Sequence, residues 1–163
     1  MEEDMSEQEK PAWGGGGKAI FRTKAVCPTP TLTKVSVRDF EIIIDEPLSN
    51  HGNDEGAQPL EYLLASLAGC TNVIINKIGS EYNISIEGME VDVVGVCDTR
   101  GIFGTEAIKV PFPEVRLTIR GRTNNTEEEI ALVREQLAWR CPVKVVIKES
   151  GSLIKETWDI THL

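Results

Sequence analysis

The chain has 163 residues, and 17 lysines and arginines against 26 aspartates and glutamates give it a formal net charge of −9. This length is typical of one domain with a substantial core, and the acidic balance disfavours nucleic acid and membrane surfaces as partners. Residues 1–10 are polar and acidic and lack the apolar stretch of a signal peptide, so we expect a cytoplasmic protein. Residues 1–18, with Trp13 and a run of glycines, predict a flexible leader, and residues 19–163 predict a single domain.

Residues rich in β-branched side chains predict short strands in the first third of the chain. The segments 20–26, 31–37 and 40–44 have this composition. A hairpin that turns at Arg38 and Asp39 is slightly favoured over a single long, bent strand. Residues 46–56 consist of turn-forming types and are expected to form the loop that leads to the first helix.

The longest apolar segment covers residues 59–79 and carries a thiol, Cys70, near its middle. Pro59 suits the first position of a helix, and Gly79 suits the position just after the last turn. Apolar residues cover almost the whole circumference between them, which predicts a central helix that the protein encloses. Several polar residues interrupt the segment, so it is too polar to span a membrane.

Strand patterns return after this helix. Residues 84–86 and 89–93 predict a strand that ends near Cys97, and residues 98–104 predict a turn. Residues 114–120 alternate between polar and apolar, which is typical of a half-buried antiparallel strand. Residues 153–160 are expected to form the closing strand.

A second helix is predicted to begin after Thr126. Thr126 and Glu129 have the spacing of a capping box, in which each side chain binds the backbone N–H of the other residue. The apolar residues that follow recur at three- and four-residue steps and share one face of the helix; they are Ile130, Val133, Leu137 and Cys141. The second thiol is therefore expected to face the core.

Pro142 must end or kink this helix. Two interpretations remain for the segment that follows: Pro142 opens a new helix through Glu149, or the β-branched residues 143–148 form a strand. If the segment is helical, Cys141 lies at a helix N-terminus beside Arg140, and both features tend to lower the pKa of a thiol. Arg140 has two possible roles, as a salt-bridge partner or as a cation near the thiols.

Four motifs together resemble the OsmC/Ohr family, the osmotically inducible and organic hydroperoxide resistance proteins. The sequences DEP at 45–47, DEG at 54–56, PLEYLLASLAGCT at 59–71 and RCPV at 140–143 carry this resemblance. It covers roughly residues 31–160. The resemblance implies an α+β fold in which curved antiparallel sheets enclose two central helices. It also implies an intertwined homodimer with active sites at the subunit interface.

The chemistry that the resemblance implies is the thiol-dependent reduction of organic hydroperoxides, with Cys70 peroxidatic and Cys141 resolving. The family places near its thiol an arginine that a glutamate holds. Arg38 is the first candidate for this arginine, followed by Arg22, and Glu61 is the candidate glutamate. Glu61 comes one position later than the glutamate of the best-known peroxidases. Nine residues separate it from Cys70, so the two side chains point to opposite sides of the helix, about 13 Å apart along its axis. Glu61 is thus expected to orient an arginine, of the same or the other subunit, or to favour the helix N-terminus.

Other readings of the cysteines remain open. The four cysteines contain no Cys-x-x-Cys pair, so we expect no metal site and no cofactor. Cys27 and Cys97 lie outside the motifs and are interpreted as structural. The expected partners are a second copy of the chain, an organic hydroperoxide and a dithiol reductant. The alternatives are a non-catalytic module that binds a small ligand, with packing cysteines, and a thiol enzyme with another substrate such as a persulfide.

Overall fold

The computed structural model describes residues 17–163. The predicted leader lies almost entirely outside the described residues, and so does Trp13. The chain divides into two compact units, one ending at Pro59 and the other running from Leu60 to Leu163. The expectation of a single domain over residues 19–163 stays a prediction.

The first unit contains an antiparallel sheet of three strands in the order β1-β2-β3. The strands are β1 (Lys24–Val26), β2 (Thr33–Val37) and β3 (Phe40–Ile44). The predicted hairpin is confirmed, because β2 and β3 pair up to the turn at Arg38 and Asp39. Arg38 has a φ of 55°, a left-handed conformation that suits a tight turn between strands. The first strand is shorter than predicted and begins only at Lys24.

One buried carboxylate organises the loop that precedes the first helix. The Asp45 carboxylate accepts hydrogen bonds from the backbone N–H groups of Glu46, Asn53 and Glu55 at 2.9, 3.0 and 3.3 Å. Burial by itself raises the pKa of Asp45, but these bonds and one from a threonine side chain together hold that pKa below its ordinary value. The loop is therefore ordered by its own backbone, with a 3₁₀ turn at Leu48–Asn50.

The rest of the described chain builds a second sheet and three helices. The elements are α1 (Pro59–Tyr82), β4 (Glu87–Val96), β5 (Glu114–Thr123), α2 (Glu127–Arg140), α3 (Pro142–Glu149) and β6 (Leu153–His162). In the sheet β4-β5-β6, β4 pairs with β5 antiparallel as predicted, whereas β5 and β6 are parallel. The expectation of antiparallel pairing throughout is thus wrong at β6. Here α2 and α3 form a helical crossover, which returns the chain to the end of the sheet where β5 began.

The core of the second unit lies where α1, α2 and α3 meet the sheet. The buried residues of α1 lie along one side of the helix: Leu67, Thr71, Ile74, Ile75, Ile78 and Gly79. The prediction that α1 is enclosed all round is wrong for the single chain, because apolar side chains on other faces remain exposed. Leu60, Leu63 and Val73 have exposed fractions of 40%, 38% and 50%.

Both predictions for the second helix are confirmed. Thr126 accepts from the Glu129 N–H at 3.3 Å and donates its own N–H to the Glu129 carboxylate at 2.8 Å, which forms the capping box. The apolar stripe of α2 is buried in the core. Of the two readings after Pro142, the helix is confirmed and the strand is wrong. Intrinsic preference is weak, so the burial of Ile147 on the inner face of α3 outweighs the β-branched composition.

Gly79 lies inside α1, whereas the sequence predicts it beyond the last turn. The helix continues to Tyr82, and Asn83, with a φ of 57°, ends it. Gly79 is required for a different reason. The Ile84 N–H donates to the Gly79 carbonyl at 2.9 Å, and a Cβ at position 79 would lie 2.3 Å from the Ile84 carbonyl oxygen. The chain therefore turns back so closely over α1 that no side chain fits at this position.

Replacing Gly79 with alanine is expected to lower the free energy of unfolding by about 1–3 kcal/mol, since the backbone around Ile84 must shift. Gly69 is the matched control. It lies in the same helix, and a Cβ there meets nothing within 4 Å. Gly69→Ala should be neutral or stabilise the protein by up to about 1 kcal/mol through helix propensity. Urea unfolding of both variants measures the difference, and equal effects would contradict this account of Gly79.

Candidate functional site

Cys141 lies at the junction between α2 and α3. It ends α2, its N–H donates to the Leu137 carbonyl at 3.3 Å, and it caps the N-terminus of α3. The break at Pro142 creates this position, because proline at the first residue of α3 has no N–H to continue the ladder of α2. Cys141 has an exposed fraction of 0% and belongs to the hydrophobic core. The prediction that this thiol faces the core is confirmed.

Cys70, on α1, lies near Cys141. It lies in the middle of α1, is half-buried and packs against the core cluster that contains Cys141. The Cys70 side chain lies close enough to Cys141 to raise the pKa of the Cys141 thiol, and both are free thiols. The structure therefore brings together the two cysteines of the sequence motifs. They differ in exposure, since solvent reaches Cys70 but not Cys141.

Burial controls the protonation of Cys141. It raises the pKa of this thiol to about 11, from an ordinary value of 9.0. Contact with Cys70 also raises the pKa of Cys141, whereas the backbone N–H groups of Lys144 and Val143 at the start of α3 lower it. The expectation of a lowered pKa at Cys141 is wrong, because the loss of solvation outweighs the helix N-terminus.

Arg140 does not act as a cation for the thiols, because its guanidinium is directed to Glu81 in the last turn of α1. It donates two hydrogen bonds to the Glu81 carboxylate, at 2.7 and 2.8 Å. These bonds lower the pKa of Glu81, and the same carboxylate raises the pKa of Arg140. Of the two roles predicted for Arg140, the structure shows the salt-bridge partner.

Two buried polar groups beside the cysteines escaped the sequence analysis. Lys144 has an exposed fraction of 3%, and its ammonium lies 2.6 Å from the Glu156 carboxylate, which joins α3 to β6. The Thr71 hydroxyl, next to Cys70, is buried and has no hydrogen-bond partner among residues 17–163. Lysine and threonine are mostly exposed, so residue type alone gives no sign that these two are buried. For Thr71 a local signal exists, because it lies four residues after Leu67 and three before Ile74 on the buried side of α1.

The remaining predicted site residues occupy other positions. Arg38 lies in the first unit, is exposed and stacks over the Phe40 ring at 5.2 Å. Glu61 lies in the first turn of α1, where a carboxylate suits the positive end of the helix dipole. Arg22 is exposed in the segment before β1. The assignment of Arg38 and Glu61 to the thiol chemistry stays a prediction.

The other two cysteines have ordinary surroundings. Cys27 is exposed, and the Thr33 hydroxyl donates to its sulfur at 3.8 Å. Cys97 follows β4 and packs against the core. Within residues 17–163, no three side chains of the metal-binding types cluster closely enough to hold an ion. Over the same residues, no helix has the length and apolar character needed to cross a membrane.

Comparison with known protein families shows the family to which this chain belongs. The family model described as OsmC-like protein matches residues 52–155, which include both cysteine motifs. The chain belongs to this OsmC-like family. A search of curated protein sequences finds no match.

Solved structures share the OsmC-like fold at low sequence identity. An OsmC-like protein from Mycoplasma pneumoniae has a TM-score of 0.76 and 22% identity, over 90% of this chain and 100% of that one. An organic hydroperoxide resistance protein OsmC from Legionella pneumophila has a TM-score of 0.59 and 15% identity, over 88% and 99%. An organic hydroperoxide resistance protein from Elizabethkingia anophelis has a TM-score of 0.60 and 14% identity, over 90% of this chain and 99% of that one. The α+β OsmC-like fold predicted from the motifs is confirmed.

Stability at alkaline pH is expected to depend on Cys141. Its pKa is about 11 in the folded protein against an ordinary value of 9.0, so the unfolded chain loses this proton first as the pH rises. The stabilisation is complete below about pH 9 and is lost by about pH 11, a difference of roughly 3 kcal/mol in the free energy of unfolding. Cys141→Ala should lack this loss.

The measurement is urea unfolding of the reduced protein at about pH 8 and about pH 10.5. Cys27→Ala, at an exposed cysteine, is the control and should lose stability as the wild type does. An equal loss in Cys141→Ala and the wild type would show that burial does not hold the Cys141 proton.

Proposed function

We propose that this OsmC-like protein reduces organic hydroperoxides, with Cys70 as the attacking thiol and Cys141 as the resolving thiol. The observation that carries the proposal is the closeness of a half-buried Cys70 on α1 to a fully buried Cys141 at the α2–α3 junction. A peroxidatic thiol needs access to substrate and a second thiol within disulfide reach. The partial exposure of Cys70 and the nearby Cys141 thiol support the assignment of these two roles.

The proposed reaction has two steps, the oxidation of Cys70 and the formation of a disulfide with Cys141. The Cys70 thiolate attacks the terminal oxygen of the hydroperoxide, the O–O bond breaks, and the alkoxide takes up a proton and leaves as an alcohol. Cys70 keeps the hydroxyl as a sulfenic acid. The Cys141 sulfur then attacks the Cys70 sulfur, and the hydroxyl departs with the Cys141 proton as water. A thiol that stays protonated until this step can supply that proton. A dithiol reductant would restore both thiols by disulfide exchange.

The surroundings of Cys70 favour an apolar substrate. Leu63 precedes Cys70 by seven residues and Val73 follows it by three, so all three share one face of α1. Both apolar side chains are exposed in the single chain. Solved structures of the same fold include organic hydroperoxide resistance proteins. A bulky hydroperoxide should therefore be a better substrate than hydrogen peroxide.

The proposal also includes the dimer, the compartment and the two further site residues expected from the sequence. The protein would act as a homodimer in the cytoplasm, with Arg38 near the Cys70 thiolate and Glu61 orienting that arginine. The exposed apolar residues of α1 support the dimer, since large apolar side chains on a helix usually have a partner surface.

Addition of one equivalent of cumene hydroperoxide to the reduced protein should produce a fast disulfide between Cys70 and Cys141. Mass spectrometry of the alkylated protein locates the bond. Cys70→Ser should abolish the reaction, whereas Cys141→Ser should consume about one equivalent and stop at the sulfenic acid. Cys27→Ser is the control and should behave as the wild type. Slow oxidation spread over all four cysteines would rule out the two-cysteine peroxidase.

Sedimentation velocity of the reduced protein should give twice the mass of the chain at micromolar concentration. A charge at Val73, which is half exposed in the single chain, would have to be buried in the interface. Val73→Lys should therefore shift the distribution towards the monomer by at least about tenfold in dissociation constant. A monomeric wild type would refute the dimer, and an unchanged Val73→Lys dimer would exclude this face of α1 from the interface.

A further inference from the structure

Arg140 connects the thiol site to the last turn of α1. Its guanidinium binds the Glu81 carboxylate through two hydrogen bonds of 2.7 and 2.8 Å, and the Arg140 side chain is only 15% exposed. Bidentate pairs between arginine and carboxylate fix the relative orientation of both groups. The ion pair therefore fixes the end of α2 against the end of α1.

Helix geometry places this ion pair on the same side of α1 as the thiol. Glu81 follows Cys70 by 81 − 70 = 11 residues, which is within about 20° of three full turns and rises about 16 Å along the axis. Cys70 and Glu81 thus share one face of α1. Arg140 and Cys141 are consecutive in the chain. The α2–α3 junction consequently approaches this face at two separated points, where Cys141 lies beside Cys70 and Arg140 binds Glu81.

We propose that the ion pair between Glu81 and Arg140 positions the Cys141 thiol at Cys70. The ion pair between Lys144 and Glu156 ties the junction to β6, whereas the pair between Arg140 and Glu81 ties it to α1, the helix that carries Cys70. This anchor on α1 limits movement of the junction relative to Cys70, because Cys141 directly follows Arg140 in the chain. Two groups held in reacting geometry have a high effective concentration. Glu81 and Arg140 are accordingly positioning residues and touch no reacting atom.

The proposal rests on the proposed function for the identity of the reaction, and it concerns the second step alone. In that step the bond between the two sulfurs forms, the S–O bond of the Cys70 sulfenic acid breaks, and water leaves. The first step does not involve Cys141. Loss of the ion pair should therefore slow disulfide formation and leave the formation of the sulfenic acid unchanged.

Glu81→Gln tests the proposal, with Lys77→Gln as the matched control. Lys77 also pairs with Glu81, at 3.6 Å, but both side chains are more than 40% exposed, so this pair is expected to contribute little. After rapid mixing with cumene hydroperoxide, dimedone labelling measures the sulfenic acid and mass spectrometry measures the disulfide. We expect Glu81→Gln to form the sulfenic acid at the wild-type rate and the disulfide at least about tenfold more slowly. Lys77→Gln should match the wild type in both steps. The double variant Glu81→Arg with Arg140→Glu should recover most of the lost rate.

Two results of the kinetic experiment would overturn the proposal. One is disulfide formation in Glu81→Gln at the rate of the control, and the other is an equal loss in both steps, which would indicate a general loss of structure. Titration in glutathione redox buffers separates this proposal from the proposed function, because it measures the pairing of the two thiols without any hydroperoxide. If the wild type does not react with hydroperoxide but Glu81→Gln still weakens the disulfide by about tenfold, the proposed function fails and the positioning role stands. An unchanged disulfide equilibrium overturns the positioning role.

Discussion

The removal of Cys141 from water is the constraint on which the proposed thiol chemistry depends. A thiol at the N-terminus of a helix would ordinarily ionise more readily, but here desolvation raises its pKa to about 11. The thiol is therefore held in its neutral form beside a second thiol, Cys70, that solvent can reach. Burial thus gives different surroundings to two cysteines of the same chemical type.

The junction that carries Cys141 is secured on both sides by ion pairs between distant parts of the chain. Arg140 binds Glu81 on α1, and Lys144 binds Glu156 on β6. The helical crossover between the parallel strands β5 and β6 delivers the junction to this place. Cys141 thus lies between two anchored helices, where the side chain has little freedom to move.

The family fold tolerates large changes in sequence because its requirements are few. The similar structures share only 14–22% of their residues with this chain over most of its length. Apolar residues at helical spacing suffice for the core, and many combinations of them fill it. The α2–α3 junction demands more, since it needs a proline that ends α2, a thiol at that position and a second thiol nearby on α1. Two of the four motifs by which the sequence resembles its family, at residues 59–71 and 140–143, contain these thiols and this proline.

The sequence predicts α1, α2, most strand positions and the inward direction of Cys141. These features depend on neighbours within a turn or two, such as the capping box of Thr126 and the proline that ends α2. The helical state of α3, the raised pKa of Cys141, the partner of Arg140, the burial of Lys144 and the parallel direction of β6 follow only from the folded chain. Each of these depends on desolvation or on contact with residues far away in the chain. The pattern of neighbouring residues does not reveal such contacts. The expectation that a helix N-terminus lowers the pKa of a thiol therefore failed at Cys141, where burial has the larger effect.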